Sequence, residues 1–308
     1  MPAYGLDSRY DRLPLLPEVM IYHDDDDGFG SACVVEMMRR ALRPEHTIEY
    51  YPTNYGRPFN LLVCKDKHVL IADFSFKAGP MLDIHIMSKT LRVLDHHKTA
   101  EAELAQLIAG EAKNDIEFDM ARSGVKMTMD FFARSEMIPD CFDPPELIGY
   151  LDAGDLWQPA RFDDLFEVQA ALRSFPYSFD LWVDHFFKPE GMAHLRVDGA
   201  AIKRFFDLKC DDVLEGAREI WLPDGTACLG VNAPYFMAST VAGTLAERAH
   251  DGVGCAYWDG KIDRVFSLRS RSKVDVSVIA QANGGGGHAN AAGFSCSFDQ
   301  LWQQARVA

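Results

Sequence analysis

Three stretches of this chain gather side chains able to hold metal ions: His23-Asp24-Asp25-Asp26-Asp27-Gly28, the single Asp73, and Asp95-His96-His97. Carboxylate oxygens and imidazole nitrogens suit divalent Mn2+ or Mg2+ better than they suit a structural zinc site, and the histidines favour Mn2+. Two such ions, roughly 3.5–4 Å apart, hold both the attacking and the leaving oxygen of an in-line displacement. A water between them has a lowered pKa and can act as a hydroxide nucleophile, so no covalent side-chain intermediate is needed. Hydrolysis at phosphorus is the chemistry these residue types point to.

The elements that must position them are short apolar runs. Val19–Tyr22, Val69–Ala72 and Leu91–Leu94 each read as a buried strand, and each delivers one of the three stretches at its carboxyl end, where open parallel sheets build their sites. Helical patterns follow: Ser31–Leu42 with Ser31 as cap, Pro80–Ser88 and Ala100–Ala109. This βαβα order predicts an α/β domain with a parallel sheet and helices on its faces. If the aspartate run is extended, His23, Asp25 and Asp27 share one face while Asp24 and Asp26 point elsewhere. Gly28 and Gly30 then allow a tight turn and close backbone approach. A solvated acidic turn at 24–27 and a helix cap at Asp73 are the plain structural alternatives. A carboxylate at the end of an apolar strand, however, carries a desolvation cost unless it is paired or metal-bound. Asp95 is suited to fixing the tautomer of a neighbouring ligating imidazole.

Further along, Ser123-Gly124 opens a helix over Val125–Glu136. Pro144-Pro145 opens another, Glu146–Leu151, which runs into Asp152-Ala153-Gly154-Asp155-Leu156-Trp157. Residues 163–187 read as helical with mostly core aromatics, and 192–215 as a long polar helix. From about 217 a second α+β pattern begins. Its strands are Glu219–Leu222, Cys228–Val231, Cys255–Trp258 and Val265–Arg269, with a helix at Ala238–Ala249. The predicted organisation is a catalytic domain over 1–190, a helical connector over 191–216 and a smaller α+β domain over 217–308. Four glycines, Gly284–Gly287, then His288 and a small-residue patch read either as a flexible loop or as backbone that closely approaches a phosphate. Arg269 is suited to a bidentate phosphate contact, while Arg271 and Lys273 read as surface charge.

The 308 residues carry a net charge of −15. A wide basic surface for duplex DNA is therefore not expected. No apolar stretch approaches the ~20 residues of a membrane span. The seven cysteines are scattered without a CxxC pair, which with the absence of a signal-peptide pattern predicts a reducing cytoplasm.

The ordered set His23-x-Asp25-x-Asp27-Gly28-x-Gly30-Ser31, Asp73, Asp95-His96-His97 and the Asp152/Asp155 segment resembles the DHH phosphoesterase superfamily. Ser267–Ser270, Val274–Ala280 and Gly284–Phe294 resemble that family's DHH-associated C-terminal domain. The resemblance spans residues from about 19 to 295 and implies a Rossmann-like parallel-sheet domain followed by a smaller substrate-binding domain. It implies that His23, Asp25 and Asp73 hold one metal. Asp27, Asp73, His96 and a fourth-motif aspartate would hold a second, with His97 facing the scissile phosphate. Versions of the fourth motif favour Asp152 or Asp155, and both are present. Asp26 stands where the family frequently has Ala or Leu.

The expected activity is that of a two-metal phosphoesterase, Mn2+ preferred with Mg2+ or Co2+ as alternatives. It would cleave short oligonucleotides or small nucleotides in an exonuclease-like manner and release nucleoside monophosphates. Arg269, Gly286, Gly287 and His288 would hold the substrate in a cleft between the domains, with His97 and Asp95 as catalytic residues. Tyr55, Tyr235 and Phe236 are candidates for stacking on a base. Inorganic polyphosphate or pyrophosphate hydrolysis and long single-strand exonuclease activity of the RecJ kind are the alternatives. A homodimer is left open.

Overall fold

The computed structural model describes residues 16–108, 114–134 and 143–299. They fall into two compact units, 1–203 and 204–308, with the division inside one long helix rather than at a loop.

In the first unit, β1 (Val19–His23), α1 (Asp26–Leu42), β2 (Glu49–Thr53), β3 (His68–Ala72), α2 (Ala78–Met87), β4 (Thr90–Asp95), α3 (Lys98–Ile108) and β5 (Asn114–Phe118) follow in order. Then come α4 (Gly124–Ala133), α5 (Glu146–Asp155), α6 (Leu165–Leu172), α7 (Phe179–Leu181) and α8 (Pro189–Leu214). The five strands are parallel, in the spatial order β2-β1-β3-β4-β5. The order reverses between β1 and β3. Such a switch point opens a crevice at the strands' carboxyl ends.

Alternation along the central strands β1 and β3 explains why they are apolar between their ends. Met20 and Tyr22 of β1, with Leu70 and Ala72 of β3, enter a core shared with α1, α4, α5 and α6. Val19 and Ile21, with Val69 and Ile71, enter a second core on the other face, shared with α2 and α3. Both faces of β1 and β3 are covered, so no polar position is left between their ends, whereas β4 carries the buried Arg92 among its apolar residues. Each fully buried aliphatic side chain contributes about 1.5–3 kcal/mol, and this anchors the ends where the polar residues emerge.

Several expectations need correction. The edge strands β2 and β5 carry no continuous apolar run; β2 is Glu-Tyr-Tyr-Pro-Thr and half exposed. Pro52 is tolerated there because an edge strand need not donate on its outer side. The aromatic stretch 163–187 is not one helix. It is α6, a turn, α7 and a π-helical turn over Trp182–Phe186. Trp182, Phe186 and Phe187 are core, but Phe166 is exposed. The ends of the helices predicted to Ala109 and Glu136 lie outside the described residues, as does Cys141. The other six cysteines are buried and form no disulfide. Among the described residues no helix is long and apolar enough to cross a membrane.

In the second unit, β6 (Arg218–Trp221), β7 (Ala227–Asn232), α9 (Ala238–Arg248), β8 (Val253–Asp259), β9 (Asp263–Ser270), α10 (Val276–Ala282), β10 (Gly286–His288) and β11 (Ala291–Ser297) form a six-stranded sheet with two helices. Its order is β10-β11-β9-β8-β7-β6. Only the β7–β8 pair is parallel, and α9 makes that crossover.

Candidate metal centre

The aspartate run does not continue β1 as an extended segment. The chain turns after His23 and α1 begins at Asp26, five residues before Ser31. Asp25 takes the cap position, extended, and its Oδ1 accepts the Gly28 N–H at 2.9 Å. A capping carboxylate satisfies a helix-start amide and sits favourably at the positive end of the helix. The Ser31 hydroxyl instead donates back to Asp27 O at 3.1 Å. Gly28 is needed at this turn, because a Cβ there would lie 2.1 Å from His23 O. Asp25 Oδ2 lies 2.5 Å from His23 Nδ1.

Asp27, in the first turn of α1, is buried. Its Oδ2 accepts the Gly124 N–H at 2.6 Å and its Oδ1 the Val125 N–H at 3.2 Å. The start of α4 thus holds this carboxylate by its amides. Asp73 follows β3 in the left-handed region, φ 57°, which a short polar side chain tolerates better than most. Its Oδ1 lies 2.9 Å from His96 Nε2, while its buried Oδ2 has no hydrogen-bond partner. Gly124 packs against this same residue. A Cβ at 124 would fall 2.3 Å from Asp73 Cβ and 2.9 Å from Asp27 Oδ2.

Asp95 ends β4 fully buried. Its Oδ1 accepts from His96 N at 2.7 Å, His97 N at 3.2 Å and His97 Nδ1 at 2.7 Å, while its Oδ2 accepts from the Ser75 hydroxyl. It orients the His97 ring and holds the backbone of both histidines. Asp155, at the end of α5, brings Oδ2 to 3.3 Å from His96 Nε2. Asp152, one turn earlier, is turned the other way; it accepts the Ser123 N–H at 2.9 Å and pairs with Arg161. Three ligand sets result: His23, Asp25 and Asp73; Asp73, His96 and His97; and Asp27, His96 and Asp155. Within each, the donor atoms lie within 4.8 Å of one another.

The other two aspartates of the run face outward, each to a cation. Asp24 Oδ2 accepts from Arg57 Nη1 at 3.1 Å and Asn54 Nδ2 at 3.5 Å. Asp26 accepts from Arg173 Nε at 2.8 Å and Tyr177 OH at 2.9 Å. The added negative charge at 26 is therefore locally balanced. Arg57, Arg173, Tyr177, Ser75 and the Gly124 and Val125 amides escaped the sequence reading. Only Ser123-Gly124, visible as a helix start, offered a signal.

The electrostatics describe a site crowded with acceptors. Burial, then the charges of Asp27 and Asp25, hold the Asp73 carboxyl well above its ordinary range. Burial and Asp155 do the same to Asp27, and burial raises Asp155. Burial also works to raise Asp25, but its contact with His23 outweighs this and the carboxyl sits low. Asp95 is likewise low, with His97 outweighing burial. Burial lowers His96, whereas the Asp95 contact raises His97 against the opposing effect of burial. Clustered carboxylates with an orphaned buried oxygen are the donor set a divalent cation satisfies.

In the second unit, the register aligns His288 with Ala291 and Ala291 with Arg269. Directly paired residues share a face of the sheet, so Arg269 and His288 flank the small Ala291, roughly 9–10 Å apart at two strand spacings. Arg269 is half-buried. It donates to Leu268 O at 2.8 Å, Ser239 Oγ at 2.8 Å and Ser267 Oγ at 3.3 Å, with no carboxylate partner among the described residues. The glycine run is a strand edge and not a loose loop. Gly285 and Gly287 approach β11 closely, where a Cβ would meet Gly293 O at 2.2 Å and Ala291 O at 2.6 Å. Gly286 faces open space and His288 is exposed.

Residues 227–305 match the DHHA1 domain family. An uncharacterized protein, R106, of Acanthamoeba polyphaga mimivirus is 28% identical over 305 residues, covering 91% of this chain and 68% of its own. Among solved structures, the DHH domain of a protein assigned to a family of ribosomal proteins is similar at a TM-score of 0.59 and 13% identity, covering 95% of this chain and 86% of its own. The exonuclease RecJ bound to manganese is similar at 0.58 and 14% identity, covering 97% and 91%. A pGpG-specific phosphodiesterase of Vibrio cholerae is similar at 0.50 and 12% identity, covering 94% and 96%.

Proposed function

We infer that this chain, whose residues 227–305 match the DHHA1 domain family and whose fold is similar to a DHH domain and to RecJ, is a divalent-metal-dependent phosphoesterase of the DHH superfamily that hydrolyses short oligonucleotides or small nucleotides. The observation that supports this reading best is the buried Oδ2 of Asp73, which accepts no hydrogen bond and lies 3.9 Å from His23 Nδ1, set among the carboxylates of Asp25, Asp27 and Asp155. A hydrolase with no use for a cation would have little reason to hold four carboxylates together, three of them with raised pKa values. The donors fit two ions. His23, Asp25 and Asp73 would hold one; Asp27, Asp73, His96 and Asp155 would hold the other, with Mn2+ preferred. When bound, the pair supplies positive charge to an attacking water and to the leaving oxygen.

The remaining work falls to the chain's own side chains. Asp95 fixes the His97 ring through Nδ1 and leaves Nε2 free towards a phosphate oxygen. The same carboxylate raises the His97 pKa, which favours a proton at Nε2 and a charge-assisted hydrogen bond there. Asp152 ties the start of α4 to Arg161 and so braces the amides that hold Asp27. In the second unit, Arg269 and His288 grip a phosphate or terminal group, with Gly286 leaving its backbone accessible.

The test is a substrate panel with chelator-treated protein given Mn2+, Mg2+ or Co2+. The panel holds dinucleotides, longer oligonucleotides, 3'-phosphoadenosine 5'-phosphate, cyclic dinucleotides and polyphosphate. Metal-dependent release of nucleoside monophosphates from the short substrates is expected. Turnover confined to polyphosphate, or turnover without added metal after chelation, overturns the reading.

A further inference from the structure

Residues 54–57 form a tight turn in which Arg57 N–H donates to Asn54 O at 3.1 Å. Gly56 has φ 78° and Tyr55 does not have positive φ, the pattern of a type II turn with glycine third. Both ends of the turn are clamped to one carboxylate, since Asn54 Nδ2 and Arg57 Nη1 both reach Asp24 Oδ2. Asp24 N–H also donates to Thr53 O at 3.0 Å. The turn is therefore fixed to the segment that carries Asp25 and Asp27.

Its tip presents Tyr55. That ring packs on Phe74 with centroids 4.9 Å apart, and its centroid lies 5.9 Å from those of both His23 and His97. Phe74 is itself buried, beside Asp73. Tyr55 nevertheless remains 53% exposed. The ring is held among Phe74, His23 and His97 and is still about half exposed beside the histidine of the centre. An aromatic face of this kind accepts another flat ring at little entropic cost, because it is already held.

We propose that Tyr55 is a stacking platform for the base of the nucleotide being cleaved, held beside His97 by the Asp24 clamp. The proposal rests on the nucleotide reading above and sharpens it: the site then recognises a base next to the scissile phosphate as well as the phosphate itself. Such a platform reads any base by its flat face, so it gives little preference among bases.

The experiment compares Tyr55→Phe, Tyr55→Leu and wild type, all loaded with Mn2+. The substrates are a dinucleotide and the same sugar-phosphate carrying an abasic residue in place of each base. Tyr55→Phe keeps the ring and should stay within about twofold of wild type. Tyr55→Leu keeps apolar bulk and loses the ring. Its kcat/KM on the dinucleotide should fall about 5- to 100-fold, the range for one lost base stack, and the loss should be at least about five times smaller on the abasic analogue. Equal losses on both substrates, or a Tyr55→Phe enzyme as poor as Tyr55→Leu, would overturn the platform while leaving the nucleotide reading intact. A wild-type enzyme that cleaves polyphosphate and neither nucleotide substrate would overturn the functional reading, and the platform with it.

Discussion

The centre in the first unit and the Arg269 edge in the second have opposite deficits. The first holds more acceptors than donors. Asp27, Asp73 and Asp155 are pushed up by burial and by neighbouring charge, and a buried oxygen has no partner. The second holds a guanidinium whose donors go to a carbonyl and two hydroxyls and to no carboxylate, and burial lowers its pKa. Elsewhere the chain pairs its charges in the ordinary way. Glu36 accepts from both Arg39 and Arg40, and those contacts outweigh burial to bring it to about 2. A fold that completes its pairs at Glu36 keeps an excess of buried carboxylates in one region and, in the other, a guanidinium with no carboxylate partner among the described residues.

The largest effect should come from the acceptor-rich side. Asp73→Ala should lower turnover by at least about 10³-fold, as expected when one member of a set acting as a unit is lost. Steady-state kinetics with saturating Mn2+ checks this, and near-wild-type turnover would remove Asp73 from the centre.

A contrast between two aspartates one turn apart comes next. Asp155→Ala should abolish high-affinity Mn2+ binding by calorimetry while leaving the metal-free protein as stable as wild type or more so. Asp152→Ala should retain metal binding and lose roughly 1–3 kcal/mol of stability, because the buried Ser123 amide loses its acceptor. The reverse outcome would make Asp152 the ligand.

On the donor side, Arg269→Ala should cost about 1.5–3 kcal/mol in kcat/KM, the scale of a hydrogen bond to a charged group, with the largest loss on the shortest substrates. A wild-type rate that climbs steadily beyond ten nucleotides would instead favour a long-strand exonuclease.

The smallest effect is a slope. Asp27 and Asp73 have folded-state pKa values raised above the unfolded value of 3.8. Between the unfolded and folded pKa values the folded state therefore binds more protons. Their contribution is fully present below the unfolded pKa and is lost as pH rises through the folded one. Thermal melts of metal-free protein should show this loss above about pH 4; the opposite slopes of Asp25 and Asp95, whose folded pKa values are lowered, fall below that window. Asp73→Asn should flatten it, and saturating divalent metal should offset it in the wild type. An unchanged profile in Asp73→Asn would mean that the crowding is relieved some other way.

How much of this was legible in the sequence follows from what each strand buries. β1 and β3 are covered on both faces, so their apolar runs are continuous, and β4 is apolar but for the buried Arg92; the polar residues that end these strands stand out. β2 and β5 lie at the sheet's edges and carry mixed residues, which periodicity alone does not distinguish from loop. The start of α1 was misplaced because Ser31 is a good capping type, but Asp25, six residues earlier, takes the cap and Asp26 and Asp27 fill the first turn. Asp152 and Asp155 could not be told apart by spacing. What separates them is the pairing of Asp152 with Ser123 and Arg161, both distant from its own motif or outside it. The glycine run at 284–287 suggested approach to a ligand, but at Gly285 and Gly287 the close neighbour is β11.

The four consecutive aspartates work as a register and not as a store of charge. Asp25 and Asp27 are turned to the centre and Asp24 and Asp26 to Arg57 and Arg173, so each carboxylate has a role set by its place in the count. Removing one residue from the run leaves three aspartates yet shifts every later one by a position. A carboxylate that now meets a surface arginine would then face the centre, and one that faces the centre would be turned outward. At this place in the chain, length is held more tightly than composition.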